Sequence, residues 1–224
     1  MYAMLASAIK LALIFLPWPV RRWLLTRLFR YDLHSTSRIG LSWIYPKQLR
    51  LRAHARIGHL NYSKGLDLIT LEPHATIGNL NWITAHPTSG IHFRHVPCRQ
   101  PSLTLAEHAA ITSQHFFDCA SPITIGRFST VAGLRSQFFT HGIDIREGRQ
   151  DTRPIEIGAY CLVATGTVVL PGSRLPDHSA TSALSLLNKQ FAEPYYLYGG
   201  VPATPVKKLS ADSRYFCRAH GFVE

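Results

Sequence analysis

The sequence is expected to fold as an all-β solenoid, and three observations point there. First, aliphatic residues recur at every sixth position, mostly followed by a small or acidic residue. The longest unbroken series is Ile157-Gly158, Val163-Ala164, Val169-Leu170, Leu175-Pro176 and Thr181-Ser182. Shorter runs are Leu51 and Ile57; Leu71, Ile77 and Ile83; Leu105 and Ile111; Ile125 and Val131. Second, neither a helical period of 3.6 nor simple strand alternation produces a break every six residues. Short strands joined by tight turns do, and stacked coils of such strands bury one continuous core. Third, the 224 residues are 46% apolar and only 17% charged, against about 25% charged in an ordinary soluble domain. That composition excludes a disordered chain and speaks against a coiled coil.

Three regions follow from this pattern: an apolar and basic helical segment over 1–38, the solenoid over 39–187, and a loop and tail over 188–224. The net charge of +11 is unevenly spread. Ten basic residues and a single acid, Asp32, lie in positions 1–56, which leaves +9 there and +2 over the remaining 168. Residues 1–30 fit neither a secretory signal nor a membrane span, because Lys10 interrupts the apolar run and Pro17 and Pro19 close it. Beyond the prolines, Trp23, Leu24, Leu25, Leu28 and Phe29 alternate with Arg21, Arg22, Arg27 and Arg30. This reads as an amphipathic interfacial helix on an anionic membrane, with packing against a neighbouring subunit as the alternative. On either reading the segment is a lead-in that the solenoid core does not need. Nucleic acid is not an expected partner, since the cations travel with an apolar helix and no nucleic-acid motif is present. The four cysteines, Cys98, Cys119, Cys161 and Cys217, show neither a disulfide framework nor zinc-ligand spacing.

The repeats, with Leu170-Pro171-Gly172 and Gly199-Gly200-Val201-Pro202-Ala203, resemble the hexapeptide-repeat acyltransferases. The resemblance covers roughly residues 39–209 and implies a left-handed parallel β-helix, three hexapeptides to a triangular coil. More narrowly, Phe139-Thr140-His141-Gly142 followed by Pro154-Ile155-Glu156-Ile157-Gly158 is similar to bacterial O-acetyltransferases that modify exopolysaccharide, capsule or O-antigen sugars.

Most of the twelve histidines are expected to be structural. His54, His74, His108 and His178 repeat in phase with the coil, as turn residues would. His86, His92, His95 and Cys98 share one loop, but their spacing matches no zinc pattern, and solvated loop residues are expected. His141 differs, because it opens the longest break in the later repeats, residues 142–153. A loop leaving a solenoid is where functional residues gather, and a neutral imidazole suits the removal of a hydroxyl proton. The resemblance makes His141 the catalytic base. Asp144, the nearest acid in sequence, is the candidate to orient it.

What the resemblance further implies is acetyl transfer from acetyl-CoA to a sugar hydroxyl. The acceptor could be lipid-linked, and the donor would lie in a groove between prisms of a homotrimer. No metal is expected. The donor-contacting positions map onto Ala164, Thr165, Ser182 and Ala183, whose small side chains admit an extended thioester arm, though tight corners favour small residues anyway. Lys207 and Lys208 could meet the nucleotide phosphates, standing near a usual lysine position that is Thr204 here. Two other departures, Ala159 in place of an acid and the run from Ser182 to Leu186, bear on the fit of the donor. No G-x-S-x-G nucleophile occurs, so direct transfer is expected. The alternatives are a metal-dependent hydratase of the γ-carbonic-anhydrase type on the same fold and a non-catalytic scaffold. The expected location is cytoplasmic, peripheral on the inner face of the cytoplasmic membrane.

Overall fold

The computed structural model describes residues 2–88, 92–96, 98–221 and 223. Among the described residues, three sheets of seven, nine and six strands form the faces of a triangular prism, parallel throughout except for the last strand pair of the nine-stranded sheet. Each strand pairs with its counterpart one coil later: Ile77 with Ile111, Ile111 with Val131, Val131 with Val163. The sixth-position aliphatics are the residues that point inward. Leu51, Leu71, Leu105, Ile125 and Leu175 line the first face, and Ile57, Ile77, Ile111, Val131 and Val163 the second, all 2% exposed or less. The third face is completed by Ile83, Phe117, Phe138, Val169 and Leu187. Phe117 and Phe138 stack in the prism interior with centroids 4.6 Å apart.

Each edge of the prism solves its turns differently. Along the first edge, His54, His74, His108, Phe128, Tyr160 and His178 all adopt positive φ between 54° and 62°. This left-handed conformation costs a non-glycine residue about 1 kcal/mol. The rings compensate by stacking into one ladder, 4.6 to 5.2 Å from centroid to centroid. The four in-phase histidines are thus turn residues. The tail over 213–221 runs back along this ladder, where the Tyr215 hydroxyl donates to the Cys161 carbonyl at 3.0 Å and Phe216 meets His178 edge-on. The second edge is held by buried amides. Asn81 Nδ2 donates to Asn61 Oδ1 at 3.0 Å, and the His115 amide donates to Asn81 Oδ1 at 2.9 Å. His115 is a further structural histidine. It is 2% exposed, bonded to Thr112 Oγ1 and to the Ser136 amide, and burial pushes its pKa down to about 4. The third edge is where the chain makes its excursions.

The N-terminal segment departs from the expectation of a detached lead-in. It forms two helices, α1 (Tyr2–Ile14) and α2 (Trp18–Phe29), the second with Pro19 in its first turn. They lie against the first coil, and Leu13, Leu25 and Tyr31 join the hydrophobic core. Arg21, one of the arginines of the expected interfacial helix, is 2% exposed and donates to the Gly40 carbonyl at 2.7 Å and the Ser42 carbonyl at 2.9 Å. The Tyr45 hydroxyl reaches the Lys10 carbonyl at 2.7 Å. The first coil of a solenoid has no preceding coil to satisfy it, and α1 and α2 supply the missing surface. Among the described residues no helix is long and apolar enough to cross a membrane.

Candidate active site

Two excursions leave the third edge, and they meet. The first is the loop over 85–101 and the second the hairpin in which His141–Asp144 pairs antiparallel with Arg149–Thr152. Buried Thr140 fixes where the hairpin departs. Its hydroxyl donates to the Asp118 carbonyl at 2.7 Å and accepts the Ser121 amide at 2.9 Å, and its own carbonyl takes the Thr152 hydroxyl at 2.8 Å. His141 is therefore set on rigid strand ends and not on a free loop.

The carboxylate that orients His141 is Asp118, which hydrogen-bonds Nδ1 and is 4% exposed. Asp118 ends the strand Phe116–Asp118 one coil earlier, in register with Phe139. Asp144 is placed elsewhere, and the geometry explains why. Side chains three apart on a strand point to opposite faces. Asp144 instead closes its own turn, its Oδ1 accepting the amides of Arg146 at 3.0 Å and Glu147 at 3.1 Å. The hydrogen bond that Nδ1 donates to Asp118 raises the His141 pKa above its ordinary value, partial burial opposes it, and the charge of Asp118 adds to the rise. With Nδ1 held, Nε2 has no hydrogen-bond partner among the described residues.

The described residues of the loop, 85–88, 92–96 and 98–101, are folded onto this pair, in contrast to the solvated loop expected. Arg99 holds it closed, donating to the carbonyls of His86 at 2.8 Å, Ala120 at 2.9 Å and Pro87 at 2.9 Å. Lys47 Nζ adds a bond to Thr88 Oγ1 at 3.0 Å. His86 and Phe93 consequently set their rings nearly perpendicular to His141, at 5.3 and 5.9 Å, and Phe93 is buried. Burial, reinforced by the neighbouring His141, lowers the His86 pKa. His92 lies tilted against His86 at 5.1 Å, and no group of three or more His, Cys, Asp or Glu among the described residues is arranged to hold a metal. A cavity of about 430 Å³ opens beside His141, lined by Lys64, Thr84, His86, Phe116, Asp118 and Phe139 among others. A larger cleft, about 710 Å³, lies on the first edge, but its His54, His74 and His108 are the stacked turn residues of the ladder.

Of the expected donor-site residues, four come together. Ala164 and Thr165 form one turn of the second edge, and Ser182 and Ala183 form the turn one coil on, joined by the Leu184 amide bonding the Thr165 carbonyl at 3.0 Å. Thr165 Oγ1 is engaged with the Leu134 backbone in the turn below. Gly199 packs directly on Ser182, where a Cβ would have no room. Lys207 and Lys208 are exposed and pair with Leu197 and Tyr196, at the opposite end of the strand from Gly199. That separates them from Ser182 by a strand of three to four residues, about 10–13 Å. His141 is likewise one strand away from the second edge, since Gln137–Phe139 runs between the two edges.

Sequence reasoning missed Asp118, His86 and Phe93. Asp118 carried one signal: it is an isolated acid in the otherwise uncharged run Phe116-Phe117-Asp118-Cys119-Ala120.

No protein-family model and no curated protein matches the sequence. Solved structures do match. The polysialic acid O-acetyltransferase OatWY superposes with a TM-score of 0.58 over 83% of this chain and 90% of its own, at 15% identity. A mutant of AntD, an N-acyltransferase from Bacillus cereus in complex with dTDP and coenzyme A, superposes with a TM-score of 0.51 over 80% of this chain and 84% of its own, at 12% identity. The chain thus has the left-handed parallel β-helix fold found in these acyltransferases.

Proposed function

We propose that the protein is an acetyl-CoA-dependent O-acetyltransferase acting on a sugar hydroxyl, with His141 as general base. The observation that carries this is the buried Asp118 carboxylate on His141 Nδ1, beside a cavity that His141 itself lines. Asp118 fixes the tautomer with the proton on Nδ1 and stabilises the imidazolium once it forms. Nε2 takes the acceptor hydroxyl's proton as that oxygen attacks the thioester carbonyl. The carbon–sulfur bond then breaks, coenzyme A leaves as its thiolate, and the imidazolium returns the proton to the sulfur. Acetylation of a carbohydrate is the reading supported by the fold shared with OatWY, a polysialic acid O-acetyltransferase. The donor's arm is assigned to Ala164, Thr165, Ser182 and Ala183, and its phosphates to Lys207 and Lys208. Because these positions and His141 lie on opposite edges of the third sheet, one chain's donor edge would serve another chain's His141 across the groove of a homotrimer.

The pH dependence tests the dyad. A base must be neutral to act, so kcat/KM should fall on the acid side through a pKa displaced above the ordinary histidine value. Asp118→Asn removes the group that raises it. The acid limb should move to lower pH while the plateau drops on the order of 100-fold. An unmoved limb in the folded variant would show that Asp118 does not govern the base. A scaffold would show no acceptor-dependent release of coenzyme A at all, and a hydratase would be dependent on metal.

Contact with an anionic membrane surface is proposed for the same helices that close the prism. Phe15, which follows α1, and Trp23 and Leu28 of α2 are 71%, 59% and 62% exposed, and Arg22 and Arg27 lie on α2 with Arg30 at its C-terminal cap. An exposed apolar set among cations fits a headgroup layer, and would place the enzyme beside a lipid-linked glycan in the cytoplasm. Trp23→Ser with Leu28→Ser should reduce cosedimentation with phosphatidylglycerol vesicles at least tenfold and leave the melting temperature in place. Unchanged binding of the double variant would remove this proposal.

A further inference from the structure

The cavity beside His141 carries a charge that the transfer chemistry does not use. We propose that Lys64 makes this an acceptor site for acidic saccharides, binding a carboxylate or similar anionic group of the sugar. This rests on the acetyl-transfer reading above and adds to it the chemical class of the acceptor.

The charges around the cavity can be followed one at a time. Asp118 is committed to His141. Asp67, in the turn just after Lys64, is paired with Lys47 at 2.7 Å. Arg99 spends its guanidinium on three carbonyls of the closed loop. Lys64 lines the cavity, is exposed, and forms neither an ion pair nor a side-chain hydrogen bond among the described residues. It is the one cation of this set left for a ligand, and every acid of the set is already paired. An anion entering here meets the attractive charge of Lys64, with the buried Asp118 carboxylate two strands away.

Position supports the same reading. Lys64 pairs in register with Thr84, Thr84 with Asp118, and Asp118 with Phe139, so the four form one row across successive coils. Two strand spacings separate Lys64 from Asp118, about 10 Å. That is the reach of one pyranose with its substituents, so an anion on Lys64 and a hydroxyl at His141 can belong to the same or adjacent sugar units. Phe116 and Phe139, whose rings lie 5.6 Å apart and tilted by 42°, form an apolar wall of the same cavity. Such a wall packs against the C–H face of a sugar ring, which leaves hydroxyls and the anionic group free to meet polar partners.

Binding of a uronic-acid oligosaccharide and of its carboxyl-reduced, neutral counterpart tests this by calorimetry on folded His141→Ala protein, where no turnover intervenes. The acid should bind about tenfold more tightly at low salt, and the preference should shrink as salt rises. Lys64→Met should bring the ratio of the two dissociation constants close to one, and Lys64→Arg should restore it. Equal binding of both saccharides, no binding of either, or an equal loss for both on Lys64→Met would overturn the proposal. Coenzyme A release by wild-type protein separates the two readings. A preference for the acid without any turnover would sink acetyl transfer and leave the Lys64 contact standing.

Discussion

Replacing His141 by alanine should slow acceptor-dependent acetyl transfer about 10³-fold, while binding of acetyl-CoA stays within a few fold of wild type. The magnitude is that of a positioned general base. The separation of effects follows from the structure, because His141 sits on the third edge and the assigned donor residues on the second. The variant should also fold normally. His141 is partly exposed, and the hairpin it opens is secured by Thr140 and Thr152, which the substitution leaves untouched. A folded His141→Ala protein with wild-type turnover would reject the catalytic assignment.

The second large effect is expected far from the site. Arg21→Met should lower stability by about 3 kcal/mol, read as a fall in melting temperature of roughly 6–12 °C for a chain of this size. Methionine retains much of the buried stem but donates nothing. The carbonyls of Gly40 and Ser42 would then be left without the guanidinium that now bonds them at 2.7 and 2.9 Å. Replacing a buried charge together with its partners can be neutral, but here the partners are backbone and stay. Acetyl transfer measured below the melting transition should be retained, since the first coil lies several rungs from His141. A melting temperature unchanged by the substitution would mean that α2 does not close the end of the prism.

These effects mark how far the sequence could be read. The coil faces were legible because an inward aliphatic at every sixth position is a local and repeated signal, and Leu71, Ile77, Ile111 and Val163 are where the rhythm puts them. His54, His74, His108 and His178 were legible for the same reason. Residues that act once are harder. Asp118 is 23 positions from its partner, and only the register of one coil on the next brings the two together. Asp144 was nearer along the chain but on the wrong face of its strand, an effect of pleat that sequence distance ignores. The loop over 85–101 has no period, so nothing in it announced that Arg99 would fold His86 and Phe93 onto His141. The N-terminal helices were ambiguous for a physical reason. An apolar stripe flanked by arginines is the same string whether it meets lipid or the open end of a solenoid, and this one has residues for each: Leu13, Arg21 and Leu25 inward, Phe15, Trp23 and Leu28 outward.

Transfer of the acetyl group itself is the decisive observable. Wild-type protein and His141→Ala should be incubated with [13C]acetyl-CoA and bacterial saccharides, and the products examined by NMR for the chemical shift of the labelled carbonyl. The predicted result is an O-acetyl ester on a sugar hydroxyl, formed by the wild type and almost abolished in the variant. Label appearing on nitrogen, label trapped on the protein, or ester formed equally by both proteins would contradict direct transfer by an Asp118-oriented His141.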